Sequence, residues 1–212
     1  MTPIETKAIV FDYGNVLCLP QPRAAVEAMA EMFAVPTARF EEVYWPYRLP
    51  YDLARLDAVA YWRTVARDLG RPLTERDIPR LIELDVQSWT HLDACMMEWA
   101  RRLRAAGVRI AVLSNMPLDL RQWIAREGAW LAGFDFATFS CDLGIAKPDE
   151  AIYRHCLSGL GVAPGETLFF DDRQRNVEGA RSLGIHAFHF TTPQETLAAL
   201  DGRFRLPAPL PC

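Results

Sequence analysis

Ile9-Val10-Phe11-Asp12-Tyr13-Gly14-Asn15-Val16-Leu17 is the stretch on which the reading of this chain turns. An apolar run of strand length stops at a carboxylate, and a glycine follows where the chain must turn sharply. If the run is a strand of an open α/β sheet, Asp12 sits in the crevice at the carboxyl ends of the strands, where such folds bind ligands. An Asp-x-Gly segment by itself serves equally well to cap a turn, so its meaning depends on what the rest of the chain supplies.

Three later segments share one grammar, a helical stretch closed by glycine and followed by a short apolar strand. They are 98–106, Gly107 and 108–113; 153–160, Gly161 and 167–170; and 178–183, Gly184 and 185–190. Glycine suits the left-handed position that ends a helix, and strands apolar on both faces are those covered by helices on both sides. With the opening strand 7–11 and a weaker candidate at 136–139, the pattern predicts an α/β fold built on a doubly wound parallel sheet.

Between Leu19 and about Leu92 no glycine-closed strand occurs, and apolar residues recur at helical spacing. Helices are expected over 23–34, 38–49, 57–69 and 74–89, the last opened by a Thr74/Asp77 variant of the capping box. An aromatic stretch, Tyr44-Trp45-Pro46-Tyr47-Arg48-Leu49-Pro50-Tyr51, interrupts them. The expected division is therefore a core of residues 1–18 and 92–212, with an all-helical insertion over 19–91. Its Tyr44, Trp45, Arg48, Tyr51, Trp62 and Arg63 are candidates to frame a ligand, although aromatic residues at helical spacing more often belong to a core. The segment 206–211, rich in proline, reads as a non-helical tail.

Composition narrows the class. The chain has 212 residues, 50% of them hydrophobic and 24% charged, enough for one core domain with a modest insertion. A net charge of -4 provides no basic field for nucleic acid or an anionic membrane, so any phosphate must be held by a local site. No apolar run approaches the roughly 20 residues that cross a bilayer, and the N-terminus carries no secretory pattern, so a cytoplasmic location is expected. Five cysteines without a C-x-x-C pair argue against a zinc site and a disulfide framework, and are expected to be reduced.

Three more groups of polar residues close candidate strands or open helices. Leu113-Ser114-Asn115 offers a hydroxyl, an amide and backbone N–H groups suited to phosphate oxygens, or simply a helix cap. Ala146-Lys147-Pro148 puts an ammonium before an expected helix start, where it either reaches the crevice or faces solvent. Leu168-Phe169-Phe170-Asp171-Asp172 ends a strand in adjacent carboxylates, whose repulsion is relieved by a nearby cation.

In chain order, Asp12, then Ser114-Asn115, then Lys147-Pro148, then Asp171-Asp172 resembles the four motifs of the haloacid dehalogenase superfamily, and the resemblance covers nearly the whole chain. The helical insertion resembles the class I cap of subfamily IA. The wording is similar to that of bacterial glucose-1-phosphate phosphatases and of the phosphatase domain of soluble epoxide hydrolases. The resemblance implies a hydrolase of phosphoric monoesters that acts on a small phosphorylated metabolite, a sugar phosphate among the candidates, as a monomer or homodimer. It implies Asp12 as the nucleophile that forms an aspartyl-phosphate, with Ser114, Asn115 and Lys147 binding the phosphoryl group. It implies Mg²⁺ on Asp12, the Gly14 carbonyl and Asp172, with Asp171 as a further ligand or a supporting group. It also implies that the strands bearing Ser114 and Asp172 flank the strand bearing Asp12.

One position departs from the pattern. Most phosphatases of the superfamily carry a second Asp two residues after the nucleophile, as the acid that protonates the leaving group, and here that position is Gly14. General acid–base help is worth roughly 10²- to 10⁴-fold. Its absence leaves three readings beside one another: leaving groups that need little protonation, a substitute acid elsewhere, or a relative that binds phosphate without turnover. A 2-haloacid dehalogenase-type hydrolase is the remaining alternative, against which the Asp171-Asp172 pair weighs.

Overall fold

A computed structural model describes residues 4–200 and 203–206. After a two-residue strand, β1 (Ile4–Glu5), strand β2 (Ala8–Phe11) runs directly into Asp12. It is the central strand of an all-parallel sheet with β3 (Arg109–Ser114), β4 (Phe136–Phe139), β5 (Thr167–Asp171) and β6 (His186–His189), in the order β4-β3-β2-β5-β6. β1 pairs with β7 (Phe204–Arg205) outside this sheet. The flanking of β2 by β3 and β5 is the arrangement expected, and it brings the ends of all three strands to one edge.

Side chains alternate through the sheet as the pleat requires. Ile9, Phe11, Ile110, Val112, Leu168 and Phe170 enter one apolar cluster, while Ala8, Val10, Ala111, Leu113 and Phe169 enter another on the opposite face. Burial on both faces explains why these strands are almost wholly apolar.

Between β2 and β3 lie α1 (Arg23–Met32), α2 (Thr37–Tyr44), α3 (Arg48–Asp52), α4 (Ala58–Leu69) and α5 (Asp77–Ser88). A third apolar cluster consists of residues from these helices, with Met29, Phe33, Phe40, Tyr61, Trp62, Val65 and Leu81 at its centre. The helix expected over 38–49 is in fact two, α2 and the single-turn α3, because Pro46 has no N–H for a continuing helix and its ring collides with the preceding turn. The helix expected from Thr74 begins at Asp77. The Asp77 carboxylate does reach back to Thr74 N and Oγ1, each at 2.7 Å, which is one half of the capping box.

α6 (Ala94–Ala105) covers the first face of the sheet through Met96, Trp99, Ala100 and Leu103. Asp93 caps it by accepting from Cys95 N and Met96 N, and Gly107, at φ +88°, turns the chain into β3. α7 (Leu118–Glu127) and the short α8 (Ser140–Leu143) follow β3 and β4. α9 (Glu150–Leu160) and α10 (Gln174–Ser182) cover the second face with Ile152, Tyr153, Cys156, Val177 and Ala180. α11 (Pro193–Leu200) follows β6. Helices on both faces make the sheet doubly wound.

Among the described residues no helix is long and apolar enough to cross a membrane. Cys18, Cys141 and Cys156 are free thiols as expected, whereas Cys95 is disulfide-bonded, a correction to the expectation that all are reduced. The tail expected over 206–211 lies, beyond Leu206, outside the described residues.

Candidate active site at the carboxyl edge of the sheet

Asp12 leaves β2 with its backbone N–H still bonded to Phe170 O at 2.9 Å, so the central strand holds it rigidly at the sheet edge. Its Oδ1 accepts from Tyr13 N at 2.7 Å and from the Lys147 ammonium at 2.8 Å. Both contacts fall on one oxygen, which leaves Oδ2 for an electrophile or a cation.

Lys147 has an environment rare for a lysine, since its side chain is 1% exposed. Its ammonium donates to Asp171 Oδ2 at 2.7 Å and to Leu113 O at 2.8 Å besides meeting Asp12, so all three donors are engaged. The position therefore neutralises charge between two carboxylates, and a phosphoryl oxygen would have to displace one of these partners to bond it directly.

The adjacent acids of β5 divide into two roles. Asp171 is fully buried and satisfied, by Lys147, by Arg173 N at 2.8 Å and by Asn176 Nδ2 at 2.9 and 3.1 Å. Asp172 is half-buried and receives only the Asn15 amide on Oδ2, at 2.7 Å. Asn15 adopts φ +59°, a left-handed conformation that Asn tolerates better than most residues, and this aims its amide across at the next strand.

Ser114 is buried, and its hydroxyl makes only a long 3.4 Å contact to Asn115 O, so it remains available to a ligand. Asn115 is different. Its Oδ1 accepts from Lys147 N at 2.9 Å and its Nδ2 donates to Lys147 O at 3.0 Å. The side chain thus clamps the backbone of Lys147, and only the backbone of Asn115 is left for a phosphate.

Asp12, Asn15, Ser114, Asn115, Lys147, Asp172 and Asn176 line one cavity of about 460 Å³, together with Gly14, Arg173 and the insertion residues Trp45, Arg48, Leu49 and Asp52, while Asp171 lies behind it. Of the six insertion residues named from sequence, only Trp45 and Arg48 reach it. Tyr44, Tyr51 and Trp62 are buried within the helical cluster, and Arg63 is exposed and pairs with Glu75. Arg48 itself is held by Asp85 at 2.7 Å and the Tyr44 hydroxyl at 2.9 Å. Sequence reasoning missed Asn15, Asn176 and Asp52 as members of this neighbourhood. For Asn15 the signal was present, an Asn directly after the glycine of the turn. For Asp52 there was none.

One oxygen each from Asp12, Asp171 and Asp172 lies within 4.8 Å of the others. Burial, then the neighbouring Asp171 and Asp172, push the Asp12 carboxyl up to about 8 against the opposing pull of Lys147. Three carboxylates face one ammonium, and the free donors, Asp12 and Asp172, are hard oxygens with no sulfur or imidazole among them. Such a set fits a small, hard divalent cation, which would favour the ionised form of Asp12.

A model of the haloacid dehalogenase-like hydrolases matches residues 6–184. Sesquiterpene phosphatase astK of Aspergillus oryzae is 32% identical over 198 residues, 92% of this chain and 94% of that protein. Bifunctional epoxide hydrolase 2 of Sus scrofa is 27% identical over 84% of this chain, and acyl-CoA dehydrogenase family member 10 of Mus musculus is 33% identical over 53% of it. The matches span 35% and 10% of those longer proteins. Among solved structures, the haloacid dehalogenase family enzyme bt-2542 of Bacteroides thetaiotaomicron, in complex with magnesium and inorganic phosphate, superposes with a TM-score of 0.71 at 18% identity, covering 88% of this chain and 94% of that one. At that identity the likeness speaks for the fold alone.

Proposed function

The chain belongs to the haloacid dehalogenase-like hydrolases, and from that premise we propose that it is a magnesium-dependent phosphohydrolase acting on a small phosphorylated metabolite through an aspartyl-phosphate on Asp12. The observation that carries the reading is the position of Asp12, at the end of the central strand, with Lys147 on one oxygen and Asp172 on the wall of the same cavity.

An anionic carboxylate attacks an anionic phosphate only where cations cancel the repulsion. Asp12, the Gly14 backbone carbonyl and Asp172 would hold the magnesium ion, which supplies that neutralisation at the phosphoryl oxygens. Lys147 supplies a further fixed positive charge beside the nucleophile, and Asp171 with Asn115 holds Lys147 in place. The Ser114 hydroxyl is the side-chain donor free to bind a phosphoryl oxygen. Asp12 attacks phosphorus, the ester bond breaks toward the leaving oxygen, and water then hydrolyses the acyl phosphate and regenerates Asp12.

Residues 19–91 act in this reading as a cap over the site, tied to the core by Tyr51 OH to Asp119 Oδ2 at 2.8 Å and by Ser140 Oγ to Asp52 O at 2.5 Å. Trp45, 40% exposed, and Leu49, 41% exposed, both line the cavity, so a leaving group that presents an apolar face is favoured. The test is hydrolysis of a panel of phosphate monoesters with and without Mg²⁺. Turnover that requires Mg²⁺ and is lost in Asp12→Asn supports the reading; turnover undiminished by EDTA, or retained in Asp12→Asn, removes it.

A further inference from the structure

We propose that Asp52, carried by α3 of the helical insertion, is the acid–base residue of this site and stands in for the carboxyl that Gly14 cannot provide. The inference rests on the phosphohydrolase reading above and adds the group that moves the proton.

The first support is elimination among the side chains of the cavity. Among the described residues, and apart from arginines, which stay protonated, the titratable groups lining it are Asp12, Tyr13, Asp52, Lys147 and Asp172. Asp12 is the nucleophile, Asp172 a donor to the cation, and Lys147 has its three hydrogens engaged by Asp12, Asp171 and Leu113 O. Tyr13 donates its hydroxyl to Trp89 O at 2.6 Å, and burial holds that phenol far above the ordinary range. Asp52 remains.

The second support is how Asp52 is held. Its backbone carbonyl accepts the Ser140 hydroxyl at 2.5 Å, and the same Ser140 oxygen accepts from Met116 N at 3.0 Å. The turn bearing Asp52 is thereby fastened to Met116, which directly follows Ser114 and Asn115, and Asp52 lines the same cavity as Asp12. Its carboxyl is not used up by this anchoring. Among the described residues Oδ1 is buried without a hydrogen-bond donor, and its one ion pair, to Arg48 Nη2, is long at 3.5 Å, since Arg48 Nη1 is bonded to Asp85 and Tyr44. A buried carboxyl oxygen with no donor is suited to carrying a proton.

Burial raises the Asp52 carboxyl to about 6, with Asp85 acting in the same direction and Arg48, Arg173 and Lys147 acting against it. The Cys141 thiol also lies within its electrostatic reach. A group in this range is an effective acid in one step and base in the next near neutral pH. In the first step the Asp52 O–H proton passes to the leaving oxygen as the P–O ester bond breaks and the bond from Asp12 to phosphorus forms, releasing an alcohol. In the second the Asp52 carboxylate takes a proton from water whose oxygen attacks phosphorus, expelling Asp12 as carboxylate and yielding phosphate.

The experiment compares wild type, Asp52→Asn and Asp12→Asn, all with Mg²⁺, on aryl and alkyl phosphate monoesters of graded leaving-group pKa. Wild type should show a shallow dependence on leaving-group pKa. Asp52→Asn should lose roughly 10²- to 10⁴-fold in kcat/KM on alkyl esters and less than about 10-fold in kcat/KM on p-nitrophenyl phosphate, whose leaving group needs no proton, while kcat falls on both because the base of the second step is gone. Retained aryl turnover also shows that the variant is folded. Equal losses of kcat/KM on both classes, no loss on either, or a steep dependence of kcat/KM already in wild type overturns the assignment of Asp52 alone, provided wild type is active and Asp12→Asn is not. A wild type inactive on every ester overturns the phosphohydrolase reading and this inference with it.

Discussion

Lys147 and Asp171 form a 2.7 Å ion pair in which the side chains are 1% and 0% exposed. Removing one member of a buried pair leaves an uncompensated charge and costs about 3–5 kcal/mol. Here Lys147 also faces Asp12, so two carboxylates would lose their partner. Lys147→Met is expected to lower unfolding stability by about that amount, measured by urea denaturation with EDTA present. A change below about 1 kcal/mol would mean that the acids are relieved by proton uptake or solvent, and that the pair holds little together.

Asp172 has one carboxylate oxygen on the Asn15 amide and, among the described residues, no ion-pair partner, so its proposed role as a cation ligand can be read without turnover. A ligand that binds only the native state stabilises it by about 2.7 kcal/mol at one hundred times its dissociation constant. Saturating Mg²⁺ should raise the Tm of wild type by several degrees and shift that of Asp172→Asn far less. Equal shifts in both would place the ion elsewhere.

The Asp52 carboxyl, raised by burial to about 6 from a usual value near 3.8, gives activity a direction with pH. An acid catalyst must be protonated, so kcat/KM for an alkyl ester should be level below about pH 6 and fall about tenfold per unit above it. Aryl esters should lack that limb, and Asp52→Asn should lack it on both. Rates that rise with pH on alkyl esters would contradict the sign.

Gly14 has an ordinary negative φ, and a Cβ placed on it meets Trp89 Cζ3 at 3.4 Å. Gly14→Asp should therefore fold with a Tm only slightly lowered, since the added Cβ meets the indole at ordinary van der Waals distance. On the Asp52→Asn background it should recover alkyl-ester hydrolysis by at least about tenfold, the lower part of what a general acid contributes. No recovery would mean that an acid at position 14 cannot reach the leaving oxygen.

Much of the site is written locally. Asp12, Ser114 and Asp171-Asp172 each follow directly on an apolar strand, and parallel strands of one sheet deliver their carboxyl ends to a single edge. Three polar strand ends in one chain therefore imply one crevice, and the winding of the fold, with β3 and β5 beside β2, implies which strands are neighbours. The helical character of 19–91 was legible for the same reason, as a period of apolar residues. Its boundaries were less so, because Pro46 outweighed the periodicity around it.

What sequence alone determined, then, is the class of the sheet and the acids at the ends of its strands, which follow from periodicity, while the placing of β3 and β5 beside β2 followed from the family resemblance and the full order from the structure. Only the tertiary structure decided what each polar group has left to offer. Asp171 and Asp172 are neighbours in sequence, yet the backbone aims one at Lys147 and Asn176 and leaves the other open beside Asn15. The side-chain amide of Asn115, open to a phosphate in the sequence, is closed on the Lys147 backbone, which leaves its backbone for that role. Asp52 has no motif around it, because its place in the cavity comes from an anchor to Ser140, far along the chain. Hydrogen-bond capacity is finite, and which partner takes it depends on distances that no local pattern of residues encodes.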